Sequence, residues 1–401
     1  MLGEREDTAP LRDLFMPRRP EQFSLSEKRA GRLFGKEIRL SASKLDTYYN
    51  CPFAYFCKYG LRIAPLKKAE LSPVETGSVV HYCLEKLLGD IGVQGLEAMP
   101  EGQLRPLMQQ LLREYLESAL GLSEPPDARF AALLHRAEDL LCRIGLHLKR
   151  EFAQSGFTPA DCELPIGPGQ QVQSLDLRLP DGTKLLVEGK VDRVDVLDTP
   201  QGRFVRVVDY KTGAKSFSLD DVYCGINIQM LLYLFSIWER GEGRYGPVIP
   251  AGVLYMPVKD PLVTGETKQQ REEQRDRALR MNGLLLEDET ALRGMEQDAA
   301  GVFIPVKQTK NGLSGGDSLA SLEQLGKLKR HVERLVREMG QGLRQGQAGA
   351  RPLRFADHSA CDYCDYRSVC AAERPQERRV HKWKDKDAFY AAISGEDEDE
   401  R

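Results

Sequence analysis

Val208-Asp-Tyr-Lys-Thr212 closes a run of β-branched and apolar residues that begins at Arg203. In an extended strand, side chains two apart share a face, so Asp209 and Lys211 project together while Tyr210 turns the other way. Upstream lies Gly189-Lys-Val-Asp-Arg-Val-Asp195, and the short turn at 198–202 brings Asp192 next to Asp209. Two carboxylates with convergent oxygens make a hard site suited to Mg²⁺ or Mn²⁺, with an ammonium group beside it. On spacing alone a second reading stands equally: Asp192, Asp195, Asp209 and Lys211 are charges that keep an edge strand from aggregating.

Outward from this pair, segments 172–179, 184–197 and 203–211 are rich in Val and Leu and separated by Pro180-Asp-Gly182 and Thr199-Pro-Gln-Gly202. They predict a meander of antiparallel strands. A helix over about 225–239 follows, then a strand at Val253–Pro257. On the N-terminal side, Ser41 or Ser43 caps a helix that ends at Cys51-Pro52, and a second helix over about 75–88 carries His81. Leucine spacing near 3.6 marks a helical insertion over about 94–153. Residues 259–350 read as a charged, mostly helical region broken by a mobile loop at Lys310–Gly316.

This order predicts an α/β fold with a mixed central β-sheet flanked by helices. Residues 1–38 read as a linker or arm, 39–375 as one domain with its core at about 160–258, and 376–401 as a basic then acidic tail. With 401 residues, 41% hydrophobic, 29% charged and a net charge of −3, the chain excludes a simple basic coat for nucleic acid, though not a local basic groove. No stretch approaches the roughly 20 apolar residues that span a bilayer, so the expected location is cytoplasmic. Nine cysteines in a long chain point to thiols or metal ligands rather than a disulfide framework.

A carboxylate pair with a lysine is what phosphodiester hydrolysis requires. A cation there neutralises charge on the phosphoryl group and lowers the pKa of an attacking water, and Lys211 positions that water or stabilises negative charge. Asp209-Tyr-Lys-Thr212 with upstream Asp192 resembles the motifs of RecB-type nucleases in the PD-(D/E)XK superfamily. Gly77-Ser-Val-Val-His81 resembles that family's Gly-x-x-x-His element, Gln229-Met-Leu-Leu-Tyr233 its Gln-x-x-x-Tyr element, and Glu163 a looser acidic position before the strands. The resemblance implies a restriction-endonuclease-like core and a metal held by His81, Asp192, Asp209 and Tyr210. Glu163, Gln229 and Tyr233 join Asp192, Asp209 and Lys211 in the catalytic set. Val208 replaces the proline of the superfamily's name, as in the RecB-type variant.

Cys361-Asp-Tyr-Cys364 and Cys370 form a C-x₂-C-x₅-C group, and Cys51 stands apart in Cys51-Pro-Phe53. By chemistry alone, zinc and an iron–sulfur cluster fit four cysteines equally. The layout is similar to the nuclease domain of the AddB-type polypeptide of AddAB-type helicase-nucleases, which implies a 4Fe-4S cluster on Cys51, Cys361, Cys364 and Cys370. The likeness extends over about residues 33–375 and includes Ser41-Ala-Ser-Lys-Leu-Asp46 and Tyr59-Gly-Leu-Arg62. Such a cluster would staple a loop of about 300 residues, worth several kcal/mol in the chain-entropy model. Cys57, Cys83, Cys142, Cys162 and Cys224 read as ordinary thiols.

The resemblance further implies the C-terminal piece of a longer polypeptide, an AddA-type helicase partner, single-stranded DNA ends as substrate, and a role in double-strand-break repair and recombination. The sequence has no Gly-x-x-x-x-Gly-Lys-Ser/Thr loop, and Gly31-Arg-Leu-Phe-Gly35-Lys36-Glu37 departs from it in spacing and in its last residue, so no ATPase site is expected. Tyr55–Arg62 and Arg378–Lys384 mix basic and aromatic residues and are candidate DNA paths. Competing readings are a DNA-end scaffold with inert nuclease motifs and a standalone iron–sulfur exonuclease.

Overall fold

The strands that carry Asp192 and Asp209 lie inside a sheet, not at its rim. The computed structural model describes residues 22–64, 73–125, 127–213, 216–370, 372 and 375–395. Helix α1 (Glu27–Phe34), strand β1 (Glu37–Leu40) and helices α2 (Ala42–Asn50), α3 (Pro73–Lys86), α4 (Glu101–Tyr115) and α5 (Ala128–Phe152) come first. Strands β2 (Thr158–Ile166), β3 (Leu177–Arg178), β4 (Lys184–Val187), β5 (Gly189–Thr199) and β6 (Gly202–Lys211) follow, then α6 (Gln229–Arg240) and β7 (Val248–Pro257). Further on lie α7 (Lys268–Leu279), β8 (Asn282–Leu286), β9 (Lys307–Thr309), β10 (Gly312–Ser314), β11 (Leu319–Ala320), α8 (Leu322–Arg344), β12 (Leu353–Arg354), β13 (Arg378–Arg379) and α9 (Lys386–Gly395), with shorter helices between some of them.

The central sheet runs β11-β8-β7-β6-β5-β2. Strands β2, β5 and β6 are antiparallel neighbours, whereas β6 and β7 are parallel, so the sheet is mixed as expected. A parallel step needs a crossover, and α6 supplies it, with every residue from Met230 to Ile237 buried. Near-continuous apolar sequence in β6, Phe204 to Val208 broken only by Arg206, suits a strand covered on both faces.

The expected meander is corrected in one respect. The chain changes sheets at Glu188: β4 pairs with β1 and β3 in a separate three-stranded sheet, and β5 enters the central one. The outer strand beside β5 is β2, whose Pro159, Pro165 and acidic residues hide it from a hydrophobic-period reading; an edge strand tolerates them. Region 259–350 also contributes β8 and β11 to the sheet, and the expected mobile loop at Lys310–Gly316 is the hairpin β9–β10. Residues 27–40 form α1 and β1 rather than an arm. Beyond residue 376, β13 pairs with β12, and α9 buries Phe389, Tyr390 and Ile393. Residues 1–21 of the expected arm and 396–401 of the acidic tail lie outside the described residues.

On one face of β5 and β6, odd residues of the first meet even residues of the second. Arg193, Asp195 and Arg206, with Glu151 of α5, are all 0% exposed there. Arg206 Nη2 lies 2.7 Å from Glu151 and its Nε 2.8 Å from Asp195, while Arg193 Nε lies 2.9 Å from Asp195. Asp195 is therefore a core charge, and the edge-strand reading fails for it.

Candidate active site

Antiparallel pairing sets three carboxylates abreast. The β2–β5 register, Cys162↔Arg193 and Leu164↔Val191, puts Glu163 across from Asp192. On the other side the β5–β6 ladder stops at Arg193↔Val208. One step further on, Asp192 Oδ2 accepts the Tyr210 N–H at 2.7 Å, so a carboxylate ends the ladder between Asp192 and Asp209. Like charges facing each other across strands are unfavourable. Glu163 also has φ of 55°, a left-handed conformation that a non-glycine residue holds only when its surroundings impose it, and such outliers cluster at functional sites.

Three cations answer the three acids. His81 Nδ1, from α3, stands 3.4 Å from Asp192 Oδ1 and 3.6 Å from Glu163 Oε1. Lys211 pairs with Asp209, and Lys190 with Glu163. Burial alone would depress His81, but hydrogen bonds and charge from Asp192 and Glu163 prevail and raise its pKa to about 10. Burial likewise opposes ionisation of Glu163, yet His81 and Lys190 hold it below the usual carboxylate range. Asp209 is 4% exposed, and its burial and the Asp192 charge push its carboxyl up against the pull of Lys211.

Among the described residues, the ligand atoms of His81, Glu163 and Asp192 all lie within 4.8 Å of one another. Two ligands on one Mg²⁺, each at about 2.1 Å, stand at most about 4.2 Å apart, so small side-chain adjustments would close this trio around an ion. One imidazole with carboxylate oxygens suits Mg²⁺ or Mn²⁺. The site opens into a cleft of about 720 Å³ lined by Gly77, His81, Glu85, Lys190, Lys211 and Thr212 among others. A Cβ on Gly77 would point toward Thr212 Oγ1, 4.0 Å away, so glycine there keeps the helix wall low.

Two expected residues sit behind the site rather than in it. The Tyr210 side chain is 3% exposed, with its ring edge-on to His81 at 5.8 Å and under Arg193 at 5.9 Å; its peptide N–H is the part that serves Asp192. Tyr233 accepts from Gln229 Nε2 at 3.1 Å and from the Lys190 backbone N–H. A Cβ at Gly189 would overlap its Oη, so Tyr233 lies directly against the start of β5. Upstream, Ser41 caps α2 through Lys44 N, and Asp46 accepts the N–H of Asn227, just ahead of α6. Sequence reading passed over Lys190, although its place two residues before Asp192 on the same strand face was a usable signal.

Cys361, Cys364 and Cys370, singled out by spacing, and Cys51, added by the resemblance, form a second group of thiols. Cys51 precedes a short helix, Pro52–Tyr55, and burial raises its thiol pKa. Cys364 and Cys370 lie within electrostatic reach of Cys51, as do Cys51 and Cys364 of Cys361. Arg378 donates to the Tyr49 carbonyl and Tyr366 Oη to the Ile63 carbonyl at 2.8 Å, tying the two ends together. Four thiols are a soft donor set of the kind that zinc and iron–sulfur clusters take.

A mixed sheet with abreast carboxylates and a flanking lysine at its strand ends defines a metal-dependent nuclease core. The family model of the PD-(D/E)XK nuclease superfamily matches residues 39–371, and the chain belongs to that superfamily, whose nucleases use divalent metals. Among its relatives are the B subunits of ATP-dependent helicase/deoxyribonucleases. The chain is 29% identical over 387 residues to the one from Acetivibrio thermocellus, covering 94% of this chain and 34% of that protein. To those of Clostridium novyi and Geobacillus kaustophilus it is 30% and 31% identical, in each case over 86% of this chain and 31% of the relative. The chain thus spans about a third of the length of these relatives. No helix among the described residues is long and apolar enough to cross a membrane.

Proposed function

We propose that this chain is a Mg²⁺- or Mn²⁺-dependent deoxyribonuclease that cuts single-stranded DNA delivered by a helicase partner during double-strand-break repair and recombination. The observation that carries this reading is the row Glu163, Asp192 and Asp209 with a cation beside each acid. His81, Asp192, Asp209 and Glu163 would hold the metal, with the Tyr210 carbonyl as a further ligand. The bound ion supplies charge neutralisation at phosphorus and a water of lowered pKa.

The chain's own groups do the rest. Tyr210 N–H fixes one Asp192 oxygen and leaves Oδ1 toward His81. Lys211 leaves its contact with Asp209 to orient the attacking water or meet charge on the phosphoryl oxygens, since ammonium donors are rotatable and compact. Gln229 and Tyr233 hold the start of β5, and with it Asp192, in place. Cys51, Cys361, Cys364 and Cys370 would bind a 4Fe-4S cluster that staples the two ends of the domain.

The helicase coupling and an AddA-type heterodimer partner rest on the helicase/deoxyribonuclease names of the relatives, as does a bacterial cytoplasmic location. The sequence lacks a phosphate-cradling loop, so strand separation belongs to the partner or to parts beyond this chain. The test is anaerobic purification followed by cleavage of end-labelled single-stranded DNA with Mg²⁺, beside Asp209→Ala and Lys211→Ala. Both variants should lose cleavage while still binding DNA. Equal cleavage by all three proteins would remove the active-site assignment, and a colourless zinc protein would remove the cluster.

A further inference from the structure

We propose that Tyr82 is the residue on which the nuclease stacks one unpaired base of its substrate, next to the phosphodiester that the metal site cuts. The inference rests on the deoxyribonuclease reading above and deepens it. Tyr82 follows His81 on α3 and lines the same cleft of about 720 Å³. The cleft has two unlike walls. Strands β5 and β6 bring Lys190 and Lys211, whereas α3 and α4 bring Tyr82, Glu85 and Tyr115. Cations beside aromatic rings are the pairing by which proteins hold single strands, the first for phosphates and the second for bases.

The two rings are held differently. Tyr115 is 8% exposed and packs against Tyr82 with ring centroids 5.4 Å apart, bracing a ring that is itself only half-buried. Lys86 Nζ, 6.0 Å from the Tyr82 centroid, flanks it one turn along the helix. Tyrosines that serve the core spend their hydroxyls, as Tyr49, Tyr245 and Tyr366 do on the Leu335 carbonyl, Asp161 and the Ile63 carbonyl. Among the described residues the Tyr82 hydroxyl has no such partner. A ring braced on one side and open to the cleft on the other is a platform. Only a base that has left its own stack can lie on it, so a paired duplex, whose base faces are covered by neighbours, gains nothing there. A half-buried tyrosine can also be packing between two helices, and the two roles differ in whether the enzyme responds to a missing base.

Wild type, Tyr82→Phe and Tyr82→Leu, prepared anaerobically as the full chain, are given end-labelled single strands of one sequence with Mg²⁺, one strand intact and one with a single abasic position. Cuts are counted bond by bond, so remote bonds of the same strand serve as the internal standard. In wild type and Tyr82→Phe, a bond beside the gap should be cut about 5- to 150-fold more slowly than the same bond in the intact strand, the scale of one base stacked on an aromatic side chain. Tyr82→Leu fills the space without a π-face. It should cut the intact strand slowly and lose most of its dependence on the missing base, with circular dichroism showing that it is folded. Equal cutting of gapped and intact bonds by wild type overturns the role of Tyr82, as does a folded Tyr82→Leu that keeps the wild-type dependence or cuts nothing at all. Wild type with no Mg²⁺-dependent cutting of either strand overturns the nuclease reading itself, and the proposal with it.

Discussion

Strands β5 and β6 carry charge on both faces, and the two faces handle it in opposite ways. On the inner face Arg193, Asp195, Arg206 and Glu151 balance charge for charge at 0% exposure, with the guanidinium groups lying over Phe152, Tyr210 and Phe157. On the open face Glu163, Asp192 and Asp209 meet His81, Lys190 and Lys211 at the wall of a cleft. Asp192 and Arg193 are sequence neighbours with opposite fates because a strand alternates its faces. The choice of cation follows function. A guanidinium never gives up its proton and fits a permanent core pair, whereas imidazolium and ammonium can lose a proton or swing aside for an incoming metal ion or phosphate.

The largest effects should separate the faces outright. Asp195→Ala strands two buried guanidinium groups with one acid, and a broken buried pair costs about 3–5 kcal/mol, read as a lower denaturation midpoint. Asp192→Asn relieves the like-charge contact with Asp209 and gives up part of the His81 pairing, so the unfolding midpoint should move far less than in Asp195→Ala, while Mg²⁺-dependent cleavage falls by at least about 100-fold, beyond what losing a mere supporting residue costs. Equal destabilisation by the two substitutions would erase the distinction between core charge and site charge.

A smaller and graded effect follows from His81. Its pKa is raised from 6.5 to about 10 in the folded metal-free chain, so the stability it contributes is full below about pH 6.5 and fades as pH rises toward 10. A metal ion must displace that same proton, so apparent metal affinity should climb over this window by up to about tenfold per pH unit. Titration calorimetry with Mn²⁺ at pH 7 and 8.5, in buffers of different ionisation heat, would show both the rise and the proton release. Affinity that is flat with pH would mean that His81 is already neutral and that the acids are balanced by the lysines alone.

How much of this was readable beforehand depends on the kind of signal. Asp192, Asp209 and Lys211 were readable because strand period and a short turn fix their faces and their nearness. The crossover helix and mixed sheet were readable from the order of elements. Glu163 was the weakest expectation because β2 has two prolines and little alternation, and only its pairing with β5 shows where the acid stands. The edge-strand alternative stayed open for Asp195 because nothing local reveals that Glu151, far upstream on α5, joins the same buried set of charges through Arg206. Cys57 had no partner spacing in sequence; its packing neighbours Ala348 and Tyr366 come from the far end of the chain.

The smallest effect concerns the residue that joins the site to its support. Tyr233→Phe removes an oxygen that accepts from Gln229 and from the Lys190 N–H but leaves the ring against Gly189. One lost buried hydrogen bond is worth about 0.5–1.5 kcal/mol, so stability should fall by that amount and cleavage by no more than about tenfold. The loss should appear as weaker Mg²⁺ dependence of the rate, because β5 carries Asp192, rather than as weaker DNA binding. Gln229→Ala should give a similar, non-additive loss, since both substitutions break the same bond. A Tyr233→Phe variant as inactive as Lys211→Ala would place the phenol on the substrate and move Tyr233 from the supporting wall into the open face of the site.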